Sequence, residues 1–519
     1  MIGVLAGFLH REAGSLVLAA LRRSVSRSLA VPLAPASLPQ RDVVAAIVPD
    51  ECAAQSLLHW LGAKPRKLIL FGSLPACLHT RFGLQPKTWP AGPVDWARSP
   101  AALSCESAES PARVRYLPVA ASFGASNWAR ALERFDFTDE WNNLAFGAIR
   151  TDASIWSLAE PVQAPAEAEL ARVEANGEVL TTYVAHFAVG ESAVLWVNRP
   201  VGLIDSFEWR LVEHFIAHWQ GERLPCVPVI SELPWGCDAA ITMRLDCDED
   251  ITSARPLWQA YREMGVPLSL AIHTTNLHHD GHHAFLREFC GAGGVLMSHT
   301  ATHAPNWGGS YESALAEGRE SHQRIFAATG VAVEYAVSPF HQSPHYALQG
   351  LCDAGYKGCI GGIIRNDPEF LLARGGELAG LPQGFVGHSQ QTMMHGDCML
   401  AEGDPLAVFK AAFNRALETR TLFGFLDHPF SERYAYGWPD ETVRIQAHRD
   451  LIAHIRSKAS SPRFMDEREA MDFLRARAAI RLCPTATGFE TNLPQAGAVG
   501  FGVEYRGELL PLADGSMLR

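Results

Sequence analysis

The sequence predicts an α/β protein of several domains, with seven parallel strands in a barrel, or a distorted relative of one, at its centre. Two observations predict it. Between Cys237 and Ala459, short apolar and β-branched runs alternate with helical patterns. That alternation marks strands joined by crossover helices. Residues able to bind metal or move protons stand just after several of those runs, where α/β barrels collect their active sites.

The strand candidates are AAITMRLD (239–246), LSLAIH (268–273), GVLMSH (294–299), VEYAVSPF (333–340), YKGCIGG (356–362), a stretch at Gln383–Gln391, and LFGFLDH (422–428). Helices are expected between them, among others at 311–330 and 405–421. Ahead of this unit, VVAAIV (43–48), 67–71 and AVLWVN (193–198) read as buried strands. Phe207, Leu211, Phe215 and Trp219 fall at helical spacing. Residues 85–115 are rich in Pro, Ala and Ser and read as loop. The expected organisation is an N-terminal segment (1–39), an α/β domain (40–222), a Pro-bearing linker (223–236), the barrel (237–459) and a small β-rich domain (460–519).

Bulk properties narrow the function. A chain of 519 residues allows two to four domains at about 100–200 residues each. A net charge of -12 argues against nucleic acid as a partner. No apolar run approaches the ~20 residues that span a bilayer, so no integral membrane segment is expected. The eleven cysteines contain no C-x-x-C pair and read as free thiols. With no basic region ahead of the first apolar stretch, the expected compartment is the cytoplasm, with the periplasm as the alternative. Nothing in the sequence fixes the oligomeric state.

Four groups carry chemistry. Asp246 and Asp248 close the first strand of the barrel unit; two apart, they share a face. A metal beside one keeps it ionised and leaves the other as a base; a solvated acidic turn is the alternative. His299 and His303 follow the third strand, and imidazoles four apart on a helical turn can share an ion; two unrelated loop histidines are the alternative. Ser338-Pro339-Phe340-His341 and Asp427-His428-Pro429 follow two later strands. The tract His278, His279, His282, His283, after His273, is a rival place for a metal, on an expected mobile loop.

The ordered set of Asp-x-Asp, H-x-x-x-H, x-x-Pro-aromatic and x-Leu-x-His resembles the NodB-type polysaccharide deacetylases, carbohydrate esterase family 4. The resemblance covers about 220 residues, Cys237 to Ala459. It implies a distorted seven-stranded (β/α) barrel of NodB type. It implies Asp246 as catalytic base and Asp248, His299 and His303 as ligands of a divalent metal: zinc first, with cobalt or nickel as alternatives. It implies a backbone N–H at Phe340, after Pro339, for the oxyanion, Leu426 lining the acetyl pocket, and His428 as the acid for the leaving amine. The substrate implied is an N-acetylated sugar in a polysaccharide, exopolysaccharide precursor or glycolipid. The alternatives are a hydrolase of small amides on the same barrel and a non-catalytic carbohydrate-binding relative.

Two departures stand out. Val337-Ser338-Pro339-Phe340 lacks the family's arginine, which steers the base; Arg244, two residues before Asp246 on the same face, is the candidate substitute. The Asp and Trp that orient the last histidine have no clear match, with Asp397 nearest by order. Upstream, residues 177–209 resemble the end of a glutamine-amidotransferase-like flavodoxin fold. With no G-x-C-x-G nucleophile motif beside them, a binding or scaffolding role is expected for that domain.

Overall fold

The computed structural model describes residues 1–89, 112–125, 128–131, 153–175, 177–203, 207–361, 373–431, 434–494 and 499–519. Much of the expected loop at 85–115 lies outside them; Ala112–Tyr116 is a strand.

The N-terminal unit is built on a nine-stranded sheet. Ala30–Pro32, Ile2–Ala6, Val43–Ile47, Lys67–Phe71 and Ser192–Val197 lie side by side in that order, all parallel. Glu178–Val189, Glu169–Ala175, Ala112–Tyr116 and Ala129–Ala131 continue the sheet antiparallel. The antiparallel half departs from an all-parallel flavodoxin-type sheet. Residues 1–39 are not a separate segment. Ile2–Ala6 is an interior strand hydrogen-bonded on both edges, and Arg11–Arg22 is a helix that buries Ala13, Val17 and Leu21. The short run IGVLA gains its strand identity only from its two neighbours.

The second unit carries the predicted parallel strands. Val386–Ser389, Gly358–Gly361, Tyr335–Val337, Val295–Ser298, Ser269–Ile272, Ala239–Cys247, Phe423–Asp427 and Thr392–Met393 are neighbours in that order, all parallel. Among the described residues no ladder closes this sheet into a barrel. Its two edges are joined through Gln390 and Gln391, whose N–H groups donate to Gly361 O and Gly424 O. Helices start where the sequence offers caps: Ser310, Asp440 and Asp466 each accept a backbone N–H at a helix N-terminus.

Two boundaries move. Pro462–Met465 pairs with Ala239–Cys247, and the helix Glu467–Ala479 packs on the same sheet, so residues 462–479 belong to the central unit. Val229–Ile230 pairs with Phe501–Tyr505, so the expected linker is part of a small three-stranded sheet. The units are also tied by charge. Arg374 donates to both oxygens of Glu213 at 3.0 and 2.7 Å, fully buried. A solvated linker would leave such groups in water; their burial requires the units to pack tightly.

One feature of the N-terminal unit sets a pH dependence. His186 and His214 pack into an aromatic cluster with Phe123, Phe215 and Trp219. Burial pushes His186 down to about 4. Burial, then the electrostatic influence of His218 and Arg210, pushes His214 down to about 4. Unfolded, each titrates near about 6.5. The unfolded chain therefore binds more protons between these values, and stability falls as pH drops from about 6.5 toward 4. The expected loss is on the order of 1–3 kcal/mol per histidine. Urea unfolding followed from pH 7 to pH 4.5 checks it, and His186→Phe should flatten the profile; equal slopes in both proteins would refute the assignment.

Candidate metal centre and active site

Ala239–Cys247 is buried along its whole length and delivers its last residues to the edge of the sheet where the loops gather. Asp246 ends there, 2% exposed. Arg244, on the same face, donates from Nε to Asp246 Oδ1 at 2.7 Å and from Nη2 to Oδ2 at 3.3 Å. Burial works to raise the Asp246 carboxyl, but Arg244 and the imidazoles of His299 and His428 outweigh it and hold it below the usual range. It is therefore ionised at neutral pH.

Asp248 turns back beside it. Its Oδ1 lies 3.2 Å from His299 Nε2 and 3.6 Å from His303 Nε2, and those two nitrogens are 3.1 Å apart. Zinc bonds of about 2.0–2.2 Å to nitrogen and carboxylate oxygen imply tetrahedral edges of about 3.3–3.6 Å. The three separations lie within about 0.2 Å of those edges. Asp248 Oδ1 is buried and accepts no well-aligned hydrogen bond. A single proton could serve one pair of these atoms; a divalent cation serves all three.

Burial works to lower His299, but the carboxylates of Asp246 and Asp248 outweigh it and raise it, drawing positive charge to the place a cation would fill. His299 Nδ1 lies 3.2 Å from Val337 O, so an N–H there leaves the Nε2 lone pair facing Asp248, the usual outer partner of a ligating histidine. Burial, then His299, pushes His303 down to about 4, leaving it neutral. The backbone differs from the expected helical turn. Thr300 and His303 have φ of 70° and 54°, and it is this left-handed turn that brings the second imidazole back over the first. Glu317 holds it, accepting the N–H groups of Ala301 and Thr302 at 2.8 and 2.9 Å.

Pro339 is buried, whereas Phe340 is 43% exposed. Phe340 has φ of 50°, and its ring centroid lies 4.5 Å from that of His303. Leu426 is the register partner of Arg244, which puts both side chains on one face of the sheet. His428 follows two residues later, its Nε2 3.4 Å from Asp248 Oδ2. The structure thus gathers Asp246, Asp248, His299, His303 and His428 at one place, with Arg244 beneath and Leu426 and Phe340 beside them.

Asp397 does not orient His428: it is exposed. His395 stands there instead, its Nε2 2.8 Å from His428 Nδ1, while the ring of Tyr436 stacks on His428 at 4.1 Å. Sequence reasoning passed over His395; its place just after the short strand Thr392–Met393 is the one available signal. Asp427 is not a ligand either, although His395, Asp427 and His428 are close enough to hold an ion. Its oxygens are taken by Arg444 Nε at 2.6 Å, His448 Nε2 at 3.0 Å and the His428 N–H at 2.7 Å. The histidine tract is likewise engaged. His282 meets Asn276 O and Asp250 Oδ1, and His283 meets Leu277 O, inside a helix, Asp280–Gly291, rather than a loop.

No helix among the described residues is long and apolar enough to cross a membrane. No protein-family model matches the chain, and no curated protein matches it. Solved structures do. The Xyl-CE4 domain of a multidomain xylanase from the hindgut metagenome of Trinervitermes trinervoides is 14% identical, over 45% of this chain and 90% of that one, with a TM-score of 0.31. A family 4 acetyl xylan esterase from Clostridium thermocellum is 11% identical over 45% and 90%, with a TM-score of 0.30. The chitin deacetylase of Colletotrichum lindemuthianum is 14% identical over 46% and 92%, with a TM-score of 0.32. Each of the three aligns with a little under half of this chain and with nine-tenths or more of its own length.

Proposed function

We propose that the chain is a metal-dependent deacetylase acting on an N-acetylated sugar, with zinc as its ion. One observation carries the reading: a carboxylate oxygen and two imidazole nitrogens converge at tetrahedral-edge distances beside a second carboxylate that an arginine holds ionised. The nitrogen-rich donor set suits zinc, and cobalt or nickel less well in the cell on grounds of availability.

The ion, when bound, supplies Lewis-acid polarisation of the acetyl carbonyl and lowers the pKa of water. The chain's residues do the rest. Asp246, ionised and clamped by Arg244, takes the proton of the attacking water. Phe340, at the strained turn after Pro339, offers its N–H to the oxyanion. Leu426 presents an apolar wall to the acetyl methyl group. His428 returns a proton to the leaving amine, its ring held between His395 and Tyr436. The neutral His395 takes the orienting place that a carboxylate holds in the family. The strained positions Thr300, His303, Phe340, His341 and Tyr436 all surround this site, as expected where backbone strain holds functional groups in place.

Acetate release from N-acetylhexosamine oligomers tests the reading. Activity should vanish with a chelator and return with zinc. A zinc-loaded protein that releases no acetate from any such oligomer would refute it.

A further inference from the structure

Arg244 is 1% exposed, on the strand that carries the proposed base. A guanidinium so deeply buried needs its charge paired and its remaining N–H groups hydrogen-bonded. Its fork is hydrogen-bonded to two partners, and a second carboxylate stands near its third nitrogen. Nε and Nη2 meet Asp246; Nη2 also donates to Gln390 Oε1 at 2.7 Å; Nη1 lies 3.8 Å from Glu467 Oε1. Gln390 is itself fixed, donating from Nε2 to Thr392 O at 3.2 Å. Glu467, fully buried, has its N–H on Ser269 Oγ at 3.0 Å and its Oε2 3.2 Å from His388 Nε2. Gly424 lies beside this group: a Cβ there would crowd Thr242 Oγ1 at 3.2 Å and His388 Cε1 at 3.3 Å.

We infer that Gln390 and Glu467 are positioning residues for the hydrolysis, acting on Asp246 through Arg244. This rests on the reading of Asp246 as the base. An arginine bound to Asp246 alone could rotate together with that carboxylate as one pair. Gln390 and Glu467 come from other segments, the crossing between the sheet edges and the first turn of Glu467–Ala479. Gln390 pins the guanidinium plane by a hydrogen bond and Glu467 draws it by charge from 3.8 Å, so the carboxylate keeps one orientation toward the metal centre. Glu467 also balances charge that would otherwise draw Asp246 down into the sheet. Neither residue touches the substrate, so the effect belongs in kcat and not in KM.

The test compares Glu467→Gln and Gln390→Met with the wild type, all zinc-loaded, on one N-acetylhexosamine oligomer. Both variants should lower kcat by about 10–100-fold, the usual range for groups that orient a metal site. KM should stay within about twofold and bound zinc near wild type; Glu467→Gln, which removes a buried counter-charge of Arg244, should lower the melting temperature, an effect read separately from kcat on the folded protein. Gln390→Glu, which keeps an acceptor for Nη2 but loses the donor to Thr392 O, should recover kcat only in part. An unchanged kcat in the folded, zinc-loaded variants, or a loss confined to KM, overturns the inference. Should Glu467→Gln fail to fold, Gln390→Met decides by the same split. A zinc-loaded wild type without activity overturns the functional reading itself, and the inference with it; an active wild type with indifferent variants overturns the inference alone.

Discussion

Asp246→Asn is expected to lower kcat by about 10²–10⁴-fold, the range a positioned general base contributes, and to leave bound zinc unchanged. The amide keeps the shape of the carboxylate but has no affinity for the water's proton. The metal count should survive, because the three candidate ligands are Asp248, His299 and His303, and Asp246 lies outside that group. A cost in stability is also expected. Arg244, nearly unexposed, loses its closest counter-charge, and an uncompensated buried charge costs about 3–5 kcal/mol. Glu467 softens that penalty from 3.8 Å away. Steady-state kinetics with metal analysis on the same sample separates the two effects. Wild-type turnover in Asp246→Asn would remove this residue from the chemistry.

The second large effect is on the metal. His299→Ala should weaken zinc binding by more than about 100-fold, beyond the loss caused by removing an outer partner of a ligand. The variant loses an imidazole buried between Asp248 and Val337 O and leaves Asp248 Oδ1 and His303 with no third donor. Competition with a chromophoric chelator measures the change directly. His279→Ala is the matched control: His279 is exposed, at the start of the helix Asp280–Gly291. Equal zinc affinity in His299→Ala and wild type would mean that the ion, if one binds, sits elsewhere.

Most parallel strands of the second unit were legible because they are short, mainly apolar runs followed by polar residues, as strands buried on both faces are. Val295–Ser298 and Phe423–Asp427 fall inside the expected runs with one or two residues trimmed. Ile2–Ala6, Thr392–Met393 and Pro462–Met465 were not legible. They are short, and their hydrogen-bonding partners lie as far away as Ala239–Cys247. A two- to five-residue run has no periodicity of its own, so only the neighbouring strand decides its state. The linker failed as an expectation for the same reason: Val229–Ile230 pairs with Phe501–Tyr505, far along the chain.

The candidate ligands were legible because metal sites use few residue types at short spacings, and Asp-x-Asp and H-x-x-x-H are local patterns. Their supporting residues carry no such pattern. His395, Gln390 and Glu467 are ordinary polar residues in the sequence, separated from the groups they touch by 33, 146 and 223 positions, respectively. By itself the sequence determined which side chains could meet a cation and a proton, because residue chemistry is local. Only the tertiary structure decided which of them share one space, which carboxylate is spent on Arg444 and which stays free. Burial and charge pairing depend on everything packed around a group, and that packing is set by the whole chain.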